Sequence, residues 1–350
     1  MKNFIMKYFK TFVLLFLALT ITGCRDDDSA APASTLPVIN LVAASVDEDG
    51  LPMNPLVATA VGYANNTYII QGSGFASLKH IYFNDHESYF NPNLVTDNNI
   101  FITIDRNTPY GPDESKKLKL ETGFGTVEYD FVIAPPAPLF TSFNPVNTAD
   151  GEEITLYGNY FVEPKVIVGE VEATIVSYTL TRIKAILPAG SDGKKVSVTT
   201  LSGTSEWGTA VGTAIYDDQF YNQWNIPSWN NHVYITDPEK AYQGEVYISK
   251  KIDAYGNLQS DWTYDDQAVT KYKGIKFAVR SNAPGKLIFI FNGAYWGDGS
   301  RAFNTTSDWV EVEYTWAELG NPSAVQSFGF QEFSGNETTY DFDNFSYITN

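Results

Sequence analysis

Cysteine and histidine are scarce in this 350-residue chain: the single cysteine is Cys24, and the three histidines are His80, His86 and His232. One cysteine excludes an internal disulfide and a multi-cysteine metal site. The histidines are scattered, and no Ser-His-Asp, Cys-His or HExxH arrangement accompanies them. No glycine-rich loop leads from a strand into a helix. The sequence therefore lacks the common motifs for catalysis and nucleotide binding.

Basic residues are also few, since 23 Lys and Arg face 41 Asp and Glu, for a formal net charge of −18. Too little positive charge is available for the phosphates of nucleic acid or anionic lipid, so no nucleic acid partner is expected, and an acidic polymer is disfavoured too. Charged residues make up only 18% of the chain, whereas aromatic residues make up 15%. This mixture is typical of an all-β extracellular protein, and it is compatible with a neutral polymer as partner.

Long hydrophobic runs are absent except at the N-terminus, where residues 11–21 form an apolar stretch too short to span a membrane as a mature helix. Three lysines precede this stretch, and it ends in the motif Ile21-Thr22-Gly23-Cys24. Such an arrangement resembles the signal and lipobox of a bacterial lipoprotein. An ordinary secretory signal that happens to contain a cysteine is the alternative.

The lipobox resemblance implies that residues 1–23 are a signal peptide and that Cys24 is the lipidation site. The protein would then be lipid-anchored in the outer membrane. The acidic residues 26–28 resemble an export signal for the outer face of that membrane, so we expect the protein to face the cell exterior. We predict residues 24–36 to be a tether, because their second half, from Ser29 on, consists mostly of small residues with no core-forming pattern.

An internal repeat follows the tether. The segment Thr67–Phe75 is echoed by Glu153–Phe161, and each copy is a short alternating strand that ends in a glycine turn and a phenylalanine. The second copy, with Gly158 and the later Ile186-Leu187-Pro188, resembles IPT/TIG immunoglobulin-like domains. This resemblance implies two Ig-like β-sandwiches, domain 1 over residues 37–134 and an IPT/TIG domain 2 over 135–210. The proline-rich residues 135–138 would form a stiff hinge between them.

The last part of the chain has a different composition. Strong strand patterns occupy residues 273–280, 286–292 and 309–314, and the chain closes with Tyr340-Asp-Phe-Asp-Asn-Phe345. This order and closing motif resemble β-sandwich jelly-roll carbohydrate-binding modules. We therefore predict a jelly-roll carbohydrate-binding domain over residues 211–350, and an all-β fold for the whole protein.

The arrangement of lipoprotein signal, Ig-like domains and terminal jelly roll resembles the surface glycan-binding proteins of bacterial polysaccharide-utilisation systems. The resemblance implies non-catalytic capture of a neutral polysaccharide for degradation and import, with a β-glucan such as xyloglucan, laminarin or mixed-linkage glucan as ligand. It also implies an outer-membrane importer and a companion surface lipoprotein as partners. The first alternative is a structural or adhesive surface lipoprotein whose tryptophans pack the core.

Tryptophan is absent before Trp207, and six of the seven tryptophans lie in the last part of the chain. An indole offers a flat apolar face and a polar edge, which suits the axial C–H groups and the hydroxyls of a sugar ring. Trp309 and Trp316 sit in strand and turn patterns that favour a core role. Four others lie in polar loops, so we predict that they bind the glycan: Trp224, Trp229, Trp262 and Trp296. Loop packing is the alternative for each of these four.

Polar partners for the sugar are harder to choose. Arg280 and Asn292 end two strands that we expect to be adjacent, and Tyr295 precedes Trp296, so we include these three in the predicted glycan site. Ordinary solvated surface is the alternative. One of Gln331 and Glu332 must face inward.

Two sets of acidic residues could carry other chemistry. If the first and last strands of the terminal domain pair, Asp217 and Asp343 would be neighbours and could bind a structural calcium, although solvated edge acids are the alternative. No cofactor is required for binding by stacking. Glu311 and Glu313 share one strand face, as a glycosidase pair would, but no family motif surrounds them. A small glycosidase is therefore a third interpretation, and we expect no enzyme activity.

Overall fold

The computed structural model describes residues 35–47 and 49–350. The predicted signal peptide, Cys24 and nearly all of the tether lie outside the described residues. Within them the fold is almost entirely β, which confirms the predicted fold class. No helix among the described residues is both long enough and apolar enough to cross a membrane.

The first region is built from two sheets and a small parallel pair. One sheet has the order β1-β3-β6, the other has the order β5-β4-β7-β8, and β2 pairs with β9. Alternate side chains from the sheets, such as Ile70, Phe83 and Leu120, meet in a closed core with Phe131. Its elements are β1 (Val38–Ala44), β2 (Val61–Tyr63), β3 (Thr67–Ser73), β4 (Leu78–Phe83), β5 (His86–Glu87), the 3-10 helix η1 (Pro92–Leu94), β6 (Asn99–Thr103), β7 (Lys117–Thr122), β8 (Gly125–Asp130) and β9 (Val132–Ala134).

The second region is a sandwich of two four-stranded sheets, ordered β10-β11-β15-β14 and β13-β12-β16-β17. Phe143, Leu156, Phe161 and Val198 fill the space between them. Its strands are β10 (Leu139–Asn144), β11 (Glu153–Asn159), β12 (Lys165–Val168), β13 (Val171–Glu172), β14 (Thr174–Tyr178), β15 (Arg182–Ile186), β16 (Lys195–Thr200) and β17 (Gly203–Ala210).

The internal repeat has a physical reason at its glycine. A Cβ atom on Gly72 would collide with the carbonyl oxygen of Val38 and with the Phe75 ring. Gly158 is in the same situation, because its Cβ would collide with the carbonyl oxygen of Leu139 and with the Phe161 ring. In each copy the missing side chain lets the first strand and the phenylalanine close over the backbone.

The third region is a larger sandwich. Its first sheet runs β19-β18-β28-β21-β20, with β23 joining β28 to β26, and its second sheet runs β22-β27-β24-β25. The elements are β18 (Ala214–Asp217), β19 (Gln219–Phe220), η2 (Ser228–Asn230), β20 (Val233–Thr236), β21 (Val246–Ile252), β22 (Asn257–Gln259), the short helix α1 (Ala268–Lys271), β23 (Tyr272–Ser281), β24 (Gly285–Phe291), η3 (Gly299–Arg301), β25 (Ala302–Thr305), β26 (Val310–Thr315), β27 (Phe328–Glu332) and β28 (Thr338–Thr349).

The core of this sandwich is aromatic. Phe277 on the first sheet meets Phe289 and Phe330 on the second, with ring centroids 4.9 and 4.8 Å away. The first and last strands of this sandwich pair, because Tyr216 of β18 lies opposite Phe345 of β28. The predicted strands at residues 273–280, 286–292 and 309–314 are present with shifts of one residue at their ends.

The chain divides into two compact units, one ending at Ala134 and the other beginning at Pro135. The second unit contains both the second and the third region, and a buried polar network joins them. Asn144 donates to Asp218, Gln243 donates to the carbonyl of Phe143, and Thr209 exchanges hydrogen bonds with Asn344. The predicted domain limits stay predictions, but the second region is packed onto the third as part of one unit.

Candidate functional site

Four tryptophans use their indole N–H inside the protein. Trp207 donates to Gln243 Oε1 at 2.6 Å and Trp309 to the carbonyl oxygen of Lys240 at 2.9 Å. Trp316 donates to the carbonyl oxygen of Tyr272 at 2.6 Å, and Trp224 hydrogen-bonds the Tyr347 side chain. The indole N–H groups of these four residues therefore stabilise the fold and are not free to bind a ligand.

The other three tryptophans are exposed. Trp229, Trp262 and Trp296 keep 60%, 66% and 42% of their surface accessible to solvent. In the part of the chain that the structure describes, no acceptor is within hydrogen-bond distance of their indole N–H groups. Each therefore offers both a ring face and a free donor to another molecule. We call these three residues the aromatic surface.

Trp224 corrects one site prediction. Only 3% of its surface is exposed, and its ring packs on Phe328 with the centroids 5.4 Å apart. Ile226, two residues later, is buried beside it in the same core. This alternation of Trp224 and Ile226 is an inward-facing pattern, and it is the signal in the sequence that could have identified the loop as core packing. Trp224 cannot stack on an external sugar.

The two tryptophans predicted to be core differ. Trp316 is buried in the main cluster, as predicted. Trp309 is only half-buried and lies outside that cluster, so its core assignment is wrong. Its ring is covered by the Arg280 guanidinium at 4.5 Å and by the rings of Tyr242 and Tyr247.

Trp229 is held on the short 3-10 helix η2. The neighbouring Asn230 is fully buried, and its side chain donates to the carbonyl oxygens of Pro227 and Gln259 while it accepts from the N–H of Gln259. Lys250 adds a hydrogen bond to the carbonyl of Asn230. These bonds fix η2 to strand β22, so Trp229 has a rigid support.

Trp262 follows strand β22 on an extended segment. The N–H of Asp261 donates to the carbonyl oxygen of Asn225 at 2.9 Å, and the N–H of Thr263 donates to the carbonyl oxygen of Gln326 at 2.8 Å. The Trp262 ring lies over Gly293, where a Cβ atom would be 3.4 Å from two ring atoms. Trp229 is anchored to β22, and Gly293 begins the loop that carries Trp296. The three exposed tryptophans therefore lie on neighbouring segments, with Trp229 and Trp262 at one end of the second sheet.

Trp296 lies in the loop that joins β24 to β25. This loop crosses the outer face of the second sheet, because the N–H of Gly297 bonds to Gln331 Oε1 at 2.7 Å and Gly299 packs on the Phe333 ring. Gln331 therefore faces outward, and its neighbour Glu332 is the inward residue, fully buried. Two isoleucines of β24 on that outer face, Ile288 and Ile290, are buried as a result.

Asn292 does not serve as a free polar partner for a ligand. Its side chain donates to the carbonyl of Ala324 at 2.8 Å and accepts from the N–H groups of Gln326 and Ser327. All of these hydrogen bonds of the amide join two loops of the protein, so the amide is not free to bind a ligand. Tyr295 is half-buried under the Arg301 guanidinium, 3.9 Å from the ring centroid, and packs on the core.

Arg280 lies on the other sheet from the aromatic surface. Strands β23 and β24 are consecutive in sequence but belong to different sheets, so Arg280 and Asn292 do not end adjacent strands as predicted. The Arg280 Nε is 2.9 Å from Asp341 Oδ2, and the guanidinium stacks between Trp309 and Tyr247. Its Nε–H serves an internal ion pair.

The predicted calcium ligands are buried and already satisfied. Asp343 accepts backbone N–H bonds from Tyr242, Gln243 and Asn344, and Asp217 accepts from the backbone N–H of Val146 and the Tyr221 hydroxyl. Donors thus point at the oxygens that a calcium ion would need. Among the described residues no group of three or more acidic, His or Cys side chains is arranged for a metal. Asp217 and Asp343 therefore do not fit a calcium site.

Burial changes the acidity of these two carboxyl groups. It raises the pKa of Asp217 to about 7, although the N–H of Val146 lowers it. Burial also raises the pKa of Asp343 well above its ordinary value, against three backbone hydrogen bonds. Both groups lie at the junction between the second and third regions and not at the aromatic surface.

Glu311, considered above as one of a catalytic pair, has structural partners. Its Oε2 is 2.9 Å from the ammonium of the buried Lys276, and the Tyr242 hydroxyl donates to it at 3.2 Å. A carboxylate held by a buried cation is neutralised in place, so Glu311 is not presented to a substrate.

Known proteins resemble this chain in both sequence and fold. Residues 138–215 match the IPT/TIG domain family. An IPT/TIG domain-containing protein of Bacteroides ovatus is 27% identical over 165 residues, which are 44% of this chain and 30% of that protein. The chain thus spans less than a third of this relative.

Solved structures extend the likeness to nearly the whole chain. A surface glycan-binding protein, PbSGBP-B of Prevotella bryantii, is similar over 90% of this chain and 99% of its own, with 15% identity and a TM-score of 0.50. SGBP-B from a complex xyloglucan utilization locus in Bacteroides uniformis covers the same share of this chain and all of its own, with 14% identity and a TM-score of 0.31. The chain therefore contains an IPT/TIG domain, within a fold similar to that of a surface glycan-binding protein.

Proposed function

We propose that this protein binds a neutral polysaccharide at the cell surface and does not cleave it. The observation that carries the proposal is the aromatic surface. Trp229, Trp262 and Trp296 are exposed on rigid neighbouring segments, with free indole donors. The likeness in fold to a surface glycan-binding protein supports the same conclusion.

Stacking on these rings would supply most of the affinity. At about 25 cal/mol per Å2, each 100 Å2 of apolar surface covered contributes about 2.5 kcal/mol. Rings on fixed segments lose little entropy when a sugar binds, because their supports are already ordered. Three such rings suit a polymer better than a single sugar.

The ligand we propose is a β-glucan, such as xyloglucan, laminarin or mixed-linkage glucan. In β-linked glucose every ring substituent is equatorial, so both ring faces present C–H groups that can stack on indole. Asp261 and Asp266 are exposed beside the aromatic surface, and the net charge is −18, so a charged acidic polymer would be repelled.

We propose the location from the lipobox resemblance of the N-terminal sequence, and the partners from the resemblance to surface glycan-binding proteins. We propose that Cys24 carries the lipid anchor and that the protein faces the exterior of the outer membrane. Bound polysaccharide would then pass to a companion surface lipoprotein and an outer-membrane importer.

Affinity electrophoresis against a panel of neutral and acidic polysaccharides tests this function. We expect retardation by one or more neutral β-glucans. Trp262→Ala should weaken binding tenfold or more, which corresponds to about 1.4 kcal/mol, with an unchanged unfolding midpoint. Tyr89→Ala is the matched control, because Tyr89 is 83% exposed and lies in the first compact unit.

Other results would favour the alternatives. No retardation by any glycan would favour a structural or adhesive surface protein, and release of reducing sugar would favour a glycosidase. Equal losses in Trp262→Ala and Tyr89→Ala would show that binding does not depend on the aromatic surface.

A further inference from the structure

A cleft lies in the same compact unit as the aromatic surface, where the second region meets the third. Its volume is about 340 Å3. Gly212, which follows the last strand of the second region, and Ala214, the first residue of β18, form one wall. Segments around Asn222, Tyr264 and Tyr272 form the others. None of the glycan-site predictions includes these residues.

The aromatic part of this cleft is rigid. Tyr272 and Tyr347 stack with their centroids 4.7 Å apart and their planes within 10°. The Tyr347 hydroxyl donates to Asp265 Oδ2 at 2.9 Å, and the Tyr272 hydroxyl donates to the carbonyl of Gly212 at 3.3 Å. Tyr264 differs from both, because it is 66% exposed at the rim.

The polar part of the cleft contains two free amides, Asn222 and Gln223. Asn222 and Gln223 are exposed and have positive φ angles of 51° and 66°, which present their side chains from a tight turn. Within the described residues, neither amide makes a side-chain hydrogen bond. The one cation in the lining, Lys271, is 2.8 Å from Asp192 Oδ2. The one carboxylate of the lining, Asp265, accepts hydrogen bonds from the Tyr347 hydroxyl and from the N–H of Ala268. Both charged side chains thus have partners inside the protein, and the free amides beside a tyrosine suit hydroxyl groups.

The cleft continues the aromatic surface. Tyr264 is two residues after Trp262 on a segment held extended by hydrogen bonds from Asp261, Thr263 and Asp265 to neighbouring backbone. Residues two apart on an extended chain face the same side, about 7 Å apart. A sugar chain stacked on Trp262 can therefore continue past Tyr264 towards Asn222 and Gln223.

We propose that this cleft is a second glycan subsite, which takes a further part of the same neutral polysaccharide. The inference rests on the proposed function, because the ligand must first be held on the aromatic surface. The subsite would give the IPT/TIG region, defined as the matched residues 138–215, a part in binding, because Gly212 lines the cleft.

Calorimetric titration with β-glucan oligosaccharides of increasing length tests the subsite. Tyr264→Ala, and the double variant Asn222→Gly with Gln223→Gly, should leave the affinity for the shortest binding oligosaccharide unchanged. Both should weaken binding of longer ones fivefold or more. Glycine is chosen because it removes each amide and accepts the positive φ. Tyr178→Ala, an exposed residue on β14 of the IPT/TIG region, is the control.

Two outcomes would refute the proposed subsite, and they differ in what they imply for the proposed function. If Trp262→Ala weakens binding but neither cleft variant does at any length, the proposed function survives and the subsite is wrong. If the unaltered protein binds no oligosaccharide, both proposals fail. If Tyr264→Ala lowers the unfolding midpoint, the glycine double variant decides the test, because it removes two exposed side chains that make no hydrogen bond among the described residues.

Discussion

Tryptophan does different work in two parts of this molecule. Near the junction of the second and third regions, Trp207 and Trp309 are covered by Tyr242, and each indole N–H reaches an acceptor in the protein. At one end of the second sheet, Trp229 and Trp262 are exposed, and their donors are free. The same side chain therefore stabilises one region and leaves binding capacity in the other.

The difference lies in what surrounds each ring and not in the ring itself. At the junction, polar residues from distant parts of the chain converge, and an Arg280 guanidinium covers Trp309. At the aromatic surface, the hydrogen bonds are made by neighbours of the tryptophans, such as Asn230, so the backbone is fixed while the ring is left uncovered. Rigid support and free ring faces are what a preorganised binding site requires.

The sharpest test of this comparison is the stability of two alanine variants. Trp224→Ala removes a buried ring and leaves a cavity, so we expect the free energy of unfolding of the second unit to fall by about 3–5 kcal/mol. Trp262→Ala removes an exposed ring, and its cost should stay within about 0.5 kcal/mol. Urea unfolding followed by fluorescence measures both. A loss of several kcal/mol in Trp262→Ala would mean that the aromatic surface is part of the core.

The junction should also respond to pH, with a sign that follows from Asp217. Its pKa is raised by burial to about 7 in the folded protein, against an ordinary value of 3.8. Between these values Asp217 keeps its proton in the folded state and loses it in the unfolded state, so the contribution of Asp217 to stability falls as pH rises from about 4 to about 7. The raised pKa of Asp343 acts in the same direction.

Asp217→Asn isolates this contribution. The variant should lose part of the decline in the unfolding midpoint between about pH 4 and pH 7, as measured by thermal unfolding across that range. Glycan binding at the aromatic surface should keep its own pH profile, because Asp217 lies at the junction. An unchanged decline in the variant would exclude Asp217 as its source.

Of the changes considered, the addition of calcium should have the smallest effect on the stability of the protein. Because the oxygens of Asp217 and Asp343 accept hydrogen bonds from N–H and O–H donors, we expect the unfolding midpoint to be the same with calcium and with EDTA. Magnesium is the matched control for general ionic effects. A calcium-specific rise in the midpoint would mean that these carboxylates exchange their donors for a metal.

Much of the fold could be predicted, because strand patterns are local. The alternation in residues 273–280 and 309–314 identified strands, and the repeated glycine before a phenylalanine identified two related sandwiches. The candidate site was only partly predictable. Trp229, Trp262 and Trp296 lie in polar loops and are exposed, but Trp224 lies in an equally polar loop and is buried.

The residues that failed as polar partners did so for a shared reason. Asn292 binds residues 324–327, Arg280 binds Asp341, and Tyr295 lies under Arg301. Two of these three contacts join positions more than 30 residues apart in the sequence. Strand order, which pairs β23 with β28 and separates it from β24, decides such partners.

The sequence by itself determined the fold class, the repeated sandwich and the neutral, aromatic-rich chemistry of the third region, because composition and periodicity are properties of each segment alone. Only the tertiary structure decided which tryptophans are free, that the IPT/TIG region packs onto the third region, and that a polar cleft opens beside Tyr264. Exposure and hydrogen-bond satisfaction depend on what packs against a residue from elsewhere in the chain, and a linear pattern does not contain that information.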